Sequence, residues 1–136
     1  MPNADARPPI VVLAAVIERN GRFLLTRRLK GTHLAGLWEF PGGKRDPGES
    51  DEACLARELD EELGVSASVG QELLAVEHAY PDRTVRLHFR RCDVVGEPEA
   101  RLGQEMRWAS RSELATIAFP EADRDLIALL VSSPTR

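Results

Sequence analysis

The chain has 136 residues, 43% hydrophobic and 29% charged, an ordinary globular balance with enough apolar material for a core without disulfides or a structural metal. Its formal net charge of −4 has the wrong sign for a dedicated nucleic-acid surface, which needs clustered Lys and Arg against phosphates. Cys54 and Cys92 form neither a disulfide scaffold nor a CxxC pattern, and the early apolar run at residues 10–17 is too short to span a membrane, so a single cytosolic domain over residues 1–136 is expected, with flexible ends at 1–9 and 132–136.

Residues 10–18, rich in Val, Ile and Ala and closed by Asn20-Gly21, predict a buried strand that turns into a second strand over 22–28, a hairpin near the start. Residues 29–41 read as a loop ending in a short extended piece at 38–40, followed by a Gly42-Gly43 break. Ser50 fits an N-cap, Asp51 and Glu52 suit a first turn, and Gly64 fits the position just past a helix end, so a helix is predicted over 51–63. Residues 73–80 and 84–95 predict two long antiparallel strands turned at Pro81-Asp82-Arg83, with Val85, Leu87 and Phe89 alternating against Arg86, His88 and Arg90. A strand near Trp108 leads into a capping box, Ser110 to Glu113, and residues 121–131 carry Leu126, Ile127, Leu130 and Val131 at helical spacing. The fold class predicted is α/β (α+β), a mixed β-sheet sandwiched between helices.

At about 100° per residue, Glu58, Glu61 and Glu62 fall within one arc of roughly 100° on the helix surface. Like charges so placed repel unless cations lie among them, and a carboxylate cluster with room for water and phosphate oxygens suits Mg²⁺, or alternatively Mn²⁺. Leu55, Leu59 and Leu63 form the neighbouring stripe that docks the helix and aims the acids.

The run Gly43-x5-Glu49-x7-Arg57-Glu58-Leu59-x-Glu61-Glu62-x-Gly64-Val65 resembles the Nudix box at every defining position. The resemblance implies a Nudix fold and a metal-dependent pyrophosphohydrolase acting on a free nucleoside triphosphate, not a nucleic-acid polymer or a membrane, as a monomer or weak dimer. It implies Glu58, Glu61 and Glu62 as metal ligands with a backbone carbonyl of Gly42 or Gly43, Glu58 as the residue that takes the water's proton, and Glu49 with Arg57 as an ion pair shaping the site. Glu61, Arg57 and Glu49 join Glu58 as the expected catalytic set.

Thr26-Arg-Arg28, the stretch from Leu37 to Lys44 and Tyr80-Pro-Asp-Arg83 resemble the MutT branch, which acts on oxidised guanine triphosphates. That resemblance implies Arg28, Phe40 and Arg83 around the nucleotide, with His33 and Lys44 as further candidate contacts. Two positions depart from the branch. Asp123 stands where an asparagine bonds the oxidised base, and an ionised carboxylate accepts only, suiting an amino group or ring N–H rather than a carbonyl. A related CTP pyrophosphohydrolase branch has that aspartate and the similar stretch from Ala35 to Phe40, so CTP or 5-methyl-dCTP is the alternative to 8-oxo-dGTP; a buried Asp123 that keeps its proton would restore a donor. The branch's late metal-binding glutamate, six residues before its tryptophan, corresponds to Leu102, with Glu105 the nearest substitute. A base-reading module without catalysis is the reading from another class, and the intact carboxylates weigh against it.

Overall fold

A computed structural model describes residues 8–32 and 34–133. The ends expected to be flexible therefore lie, over residues 1–7 and 134–136, outside the described residues. Among the described residues, two four-stranded sheets and three α-helices make up the fold. The first sheet contains β1 (Ile10–Val16), β5 (Gly42–Lys44), β6 (Ser66–Tyr80) and β7 (Arg83–Val95) in the order β5-β1-β7-β6. Only β1 and β7 run parallel in it, so it is mixed. The second is antiparallel around β3 (Arg22–Arg27), which pairs with β2 (Glu18–Arg19), β4 (Trp38–Glu39) and β8 (Met106–Ser110).

The first strand is buried on both faces. Ala14 and Val16 face a cluster completed by Phe23, Leu25, Phe40, Phe89, Leu114, Leu126 and Leu130. Leu13, Ala15 and Ile17 face a second cluster with Cys54, Leu55, Leu59 and Leu63. A strand apolar on both sides needs cover on both sides. Helix α1 (Asp51–Leu63) supplies one layer; α2 (Arg111–Leu114) and α3 (Arg124–Ser132) supply the other.

Helix α1 begins and ends where predicted. The Ser50 side chain accepts from the Ala53 N–H, and Gly64, at φ 69°, donates its N–H to the Asp60 carbonyl in the left-handed conformation that glycine adopts without a steric penalty. Leu55, Leu59 and Leu63 are fully buried, each contributing roughly 2 kcal/mol of transfer free energy. The Ser110–Glu113 capping box is also present, opening a single short turn of helix.

Several boundaries differ from the sequence expectation. The early hairpin joins β2 to β3 through Asn20-Gly21, both at positive φ, while β1 leaves for the other sheet. Gly42-Gly43 continues as a strand, because a Cβ at Gly42 would strike the Leu13 carbonyl and only glycine lets the two backbones pair so closely. Strand β6 starts at Ser66, seven residues before the expected Leu73, across register shifts at residues 69–74. The final helix opens with a 3₁₀ turn, η1 (Glu121–Asp123).

Candidate active site

The loop after β5 and the outer face of α1 are tied by one arginine. Arg57 donates from Nε to Glu49 Oε2 at 2.8 Å and from one terminal nitrogen to Glu49 Oε1 at 2.9 Å, a bidentate pair. The same guanidinium reaches the Lys44 carbonyl at 3.1 Å and Glu58 Oε1 at 2.8 Å, and lies 3.6 Å from Glu61. Glu49 also accepts from the Asp46 N–H. The Arg57 hydrogen bonds, backed by that amide, hold the Glu49 carboxyl down at about 2, and Glu49 and Glu58 together push the Arg57 guanidinium upward. This ion pair fixes the loop to the helix.

Glu58 lies against Gly43, where a Cβ would collide with its carboxyl group. Burial pushes the Glu58 carboxyl upward, with Arg57 opposing it and Glu61 adding to it. Glu62 is more perturbed: burial first, then Glu58 and Glu39, raise it to about 8, against a backbone hydrogen bond at Gly42. Its Oε2 is buried without a hydrogen-bond partner. A desolvated carboxylate oxygen of this kind calls for a proton or a cation. Orphaned acid, glycine-cradled acid and adjoining Glu61 are hard oxygen donors of the kind a divalent ion takes, though their oxygens are not gathered as closely as the ligand atoms of Asp51, Glu72 and His88, which lie within 4.8 Å of one another.

Beside Gly42 and Gly43 opens a cleft of about 230 Å³, walled by Val12, Leu87, Phe89, Phe40, Tyr80 and Pro120 and carrying Arg28, Glu39 and Asp123 as its charged groups. Apolar walls with a few placed polar groups suit a flat heteroaromatic ring. The Phe40 ring itself belongs to the core, stacked on Phe119 at 5.7 Å and edge-on to Phe89 at 6.2 Å. Asp123 is 5% exposed. Burial, reinforced by Glu39 and opposed by Arg28, raises its carboxyl to about 7. The residue is therefore no solvated helix start.

The structure thus brings Arg28, Phe40, Gly42, Gly43 and Asp123 to one cleft and Glu58, Glu61 and Glu62 to the helix face beside it. Lys44 and Arg83 line a neighbouring groove with Arg45 and Glu49. Glu105 is turned outward: its carboxylate pairs with Arg27 at 3.3 Å and is 63% exposed. Gln104 holds the adjacent place, donating to the Glu62 carbonyl at 3.2 Å and sharing a small cleft with Glu62, Glu39 and Leu102. His33 lies outside the described residues. Glu39 and Tyr80 are wall residues that sequence reasoning did not single out, although both stand within the stretches that carry the MutT resemblance. Asp51, Glu72 and His88 also approach one another, but Asp51 is already bound by Arg45 at 2.7 Å and Arg90 at 3.4 Å.

The family model for the NUDIX domain matches residues 12–129. The chain belongs to the Nudix family. Among relatives of this Nudix hydrolase, a CTP pyrophosphohydrolase from Escherichia coli is 40% identical over 118 residues, covering 86% of either chain. An 8-oxo-dGTP diphosphatase from Haemophilus influenzae is 39% identical over 126 residues, covering 90% of this chain and 93% of its own. The crystal structure of a MutT protein from Methanosarcina mazei superposes with a TM-score of 0.83 at 28% identity, covering 93% of this chain and 96% of that one. The Nudix fold expected from the box is therefore the fold observed. No helix among the described residues is long and apolar enough to cross a membrane.

Proposed function

We propose that this Nudix hydrolase converts nucleoside triphosphates to the monophosphate and pyrophosphate with Mg²⁺, and that 8-oxo-dGTP is its preferred substrate. The observation that carries the base assignment is Asp123, buried in the wall of the cleft with its carboxyl raised to about 7. Near neutral pH a large share of such carboxyls keep their proton and can donate to a base carbonyl, which the ionised form cannot do. The 39% identity to an 8-oxo-dGTP diphosphatase supports the same choice.

Glu58, Glu61 and Glu62, with a backbone carbonyl at Gly42 or Gly43, are the residues that would hold the metal, with Mn²⁺ as an alternative. Bound there, Mg²⁺ would supply neutralisation of phosphate charge and a lowered pKa for the attacking water. Glu58 would accept the proton of that water, its carboxyl raised by burial and held by Arg57. Arg57, anchored by Glu49, keeps the Glu58 carboxylate aimed. Arg28 and the Phe40 segment bound the base, and Lys44 and Arg83 face the approach from the neighbouring groove. Glu105 serves the metal only if its loop turns inward and releases Arg27, so the helix acids form the core of the site.

The second reading, CTP or 5-methyl-dCTP, is favoured by the ionised form of the same Asp123, which accepts from a cytosine amino group, and by the 40% identical CTP pyrophosphohydrolase. In either case we place the substrate in solution, free of polymer, and the enzyme as one domain in a reducing cytoplasm, where the buried thiols Cys54 and Cys92 remain free. We take the enzyme to be a monomer or weak dimer.

The test is pyrophosphate release with Mg²⁺ from 8-oxo-dGTP, dGTP, CTP, 5-methyl-dCTP and ADP-ribose, compared by kcat/KM. The highest value for 8-oxo-dGTP is expected. A higher value for the cytosine nucleotides transfers the assignment to the second reading, and no turnover of any triphosphate refutes both.

A further inference from the structure

Glu39 stands at the junction of the two halves of the site. It lines the main cleft with Arg28 and Asp123, and also the smaller cleft with Glu62 and Gln104. Its carboxylate takes one Arg28 terminal nitrogen through both oxygens, at 2.8 and 3.2 Å. The backbone fixes that meeting. Thr26 and Glu39 are partners across β3 and β4, the Arg28 N–H donates to the Leu37 carbonyl at 2.9 Å, and the Gly36 N–H donates to the Arg28 carbonyl at 3.1 Å.

We propose that Glu39 is a positioning residue, holding the Arg28 guanidinium at the wall of the nucleotide cleft so that Arg28 meets the base or sugar without first having to be ordered. The inference rests on the triphosphate reading above. Stability alone does not account for this carboxylate. It lines one cleft with Asp123 and another with Glu62, two further acids that its charge opposes. The pair it gains with Arg28 is mostly buried, with side-chain exposures of 26% and 30%, a setting in which desolvation offsets most of the attraction. Preorganisation is where a fixed guanidinium has value, because the entropy of ordering a long side chain is spent on folding rather than on binding.

The expected consequences separate positioning from catalysis. Glu39→Gln keeps the shape and removes the charge, and should raise KM for the preferred triphosphate by about tenfold, the worth of one charge-assisted hydrogen bond, with kcat within about twofold. Glu39→Asp should recover part of the loss. In an Arg28→Ala background, Glu39→Gln should add nothing, since its effect runs through Arg28. NMR of the Arg28 guanidinium in the nucleotide-free protein should show faster rotation about its Nε–Cζ bond in Glu39→Gln than in the parent. A kcat loss with unchanged KM, or a full effect persisting without Arg28, would overturn the proposal and make Glu39 part of the metal half. Unchanged rotation of Arg28 would overturn it even if the parent protein hydrolysed no triphosphate, an outcome that by itself refutes only the substrate reading.

Discussion

Replacing Asp123 by Asn tests the base pocket through folding before any substrate is added. The carboxyl is raised from its ordinary 3.8 to about 7, chiefly by burial and then by Glu39, with Arg28 opposing. The sign follows from proton counting. Between those two values the unfolded chain has lost the proton and the folded chain keeps it, so stability falls as pH rises through the window. Each pH unit there costs about 1.4 kcal/mol, so the full window amounts to about 4 kcal/mol, an upper figure for a residue only 5% exposed. Asn has nearly the same shape and nothing to ionise. At about pH 8, Asp123→Asn should therefore be more stable than the parent, by at least about 1 kcal/mol or roughly 3 °C in Tm for a domain of this size. The gain should shrink steadily toward about pH 4. Urea unfolding of both proteins across this range measures it, and parallel stability curves would refute the claim that burial holds the proton. The same window governs selectivity: in the parent, kcat/KM for CTP relative to 8-oxo-dGTP should rise as pH passes through about 7, and the Asn variant should flatten that rise.

Two further variants probe the metal half. Glu58→Gln should fold as the parent does yet lose at least about a hundredfold in kcat, because it deletes both a ligand charge and the proton acceptor; near-normal turnover would remove Glu58 from both roles. Leu102→Glu, placed on the loop beside Gln104 and Glu62, should tighten Mg²⁺ binding in a calorimetric titration, since a further carboxylate would then face the orphaned side of the cluster. Unchanged affinity would show that this loop does not border the metal.

The helix and its acids were legible because local rules fix them: a serine cap, a glycine stop and a leucine stripe leave one orientation for Glu58, Glu61 and Glu62. The sheet was harder for a physical reason. Residues 10–17 are apolar without a break, and periodicity does not mark Ile17 as the place where the chain passes from one sheet to the other. Gly42 and Gly43 carry a turn signal, yet they form strand, with β1 too close for a side chain at Gly42 and Glu58 too close for one at Gly43. Strand β6 lost its first seven residues to the polar, Gly-containing run from Ser66 to Glu72, whose register shifts erase alternation. At the site, the cleft gathers Arg28, Phe40 and Asp123 from the quoted motifs, while Glu39 and Tyr80, inside the same stretches, carry no mark of their own in the sequence. Glu39 was passed over because its importance comes from three partners distant in sequence, Arg28, Glu62 and Asp123. Glu105 is the nearest acid by counting, but in the loop before β8 it is held outward by Arg27, and Gln104 is the one turned toward Glu62.

The electrostatics of the site make sense only with a ligand in view. Glu39, Glu58, Glu62 and Asp123 are all pushed above the ordinary carboxylate range, and burial is the largest cause in each. Among the described residues, Arg28 and Arg57 are the cations that oppose them directly, and Arg57 is already shared with Glu49. Apolar residues of similar volume at these positions would give a more stable domain. The fold accepts the cost because α1 is anchored elsewhere, on Leu55, Leu59 and Leu63, so repulsion along its acidic face does not dislodge it. What would relieve the strain is specific: a divalent cation at Glu58 and Glu62, and a hydrogen-bonding base against Asp123. On the function proposed above, a nucleoside triphosphate with its metal would present both at once.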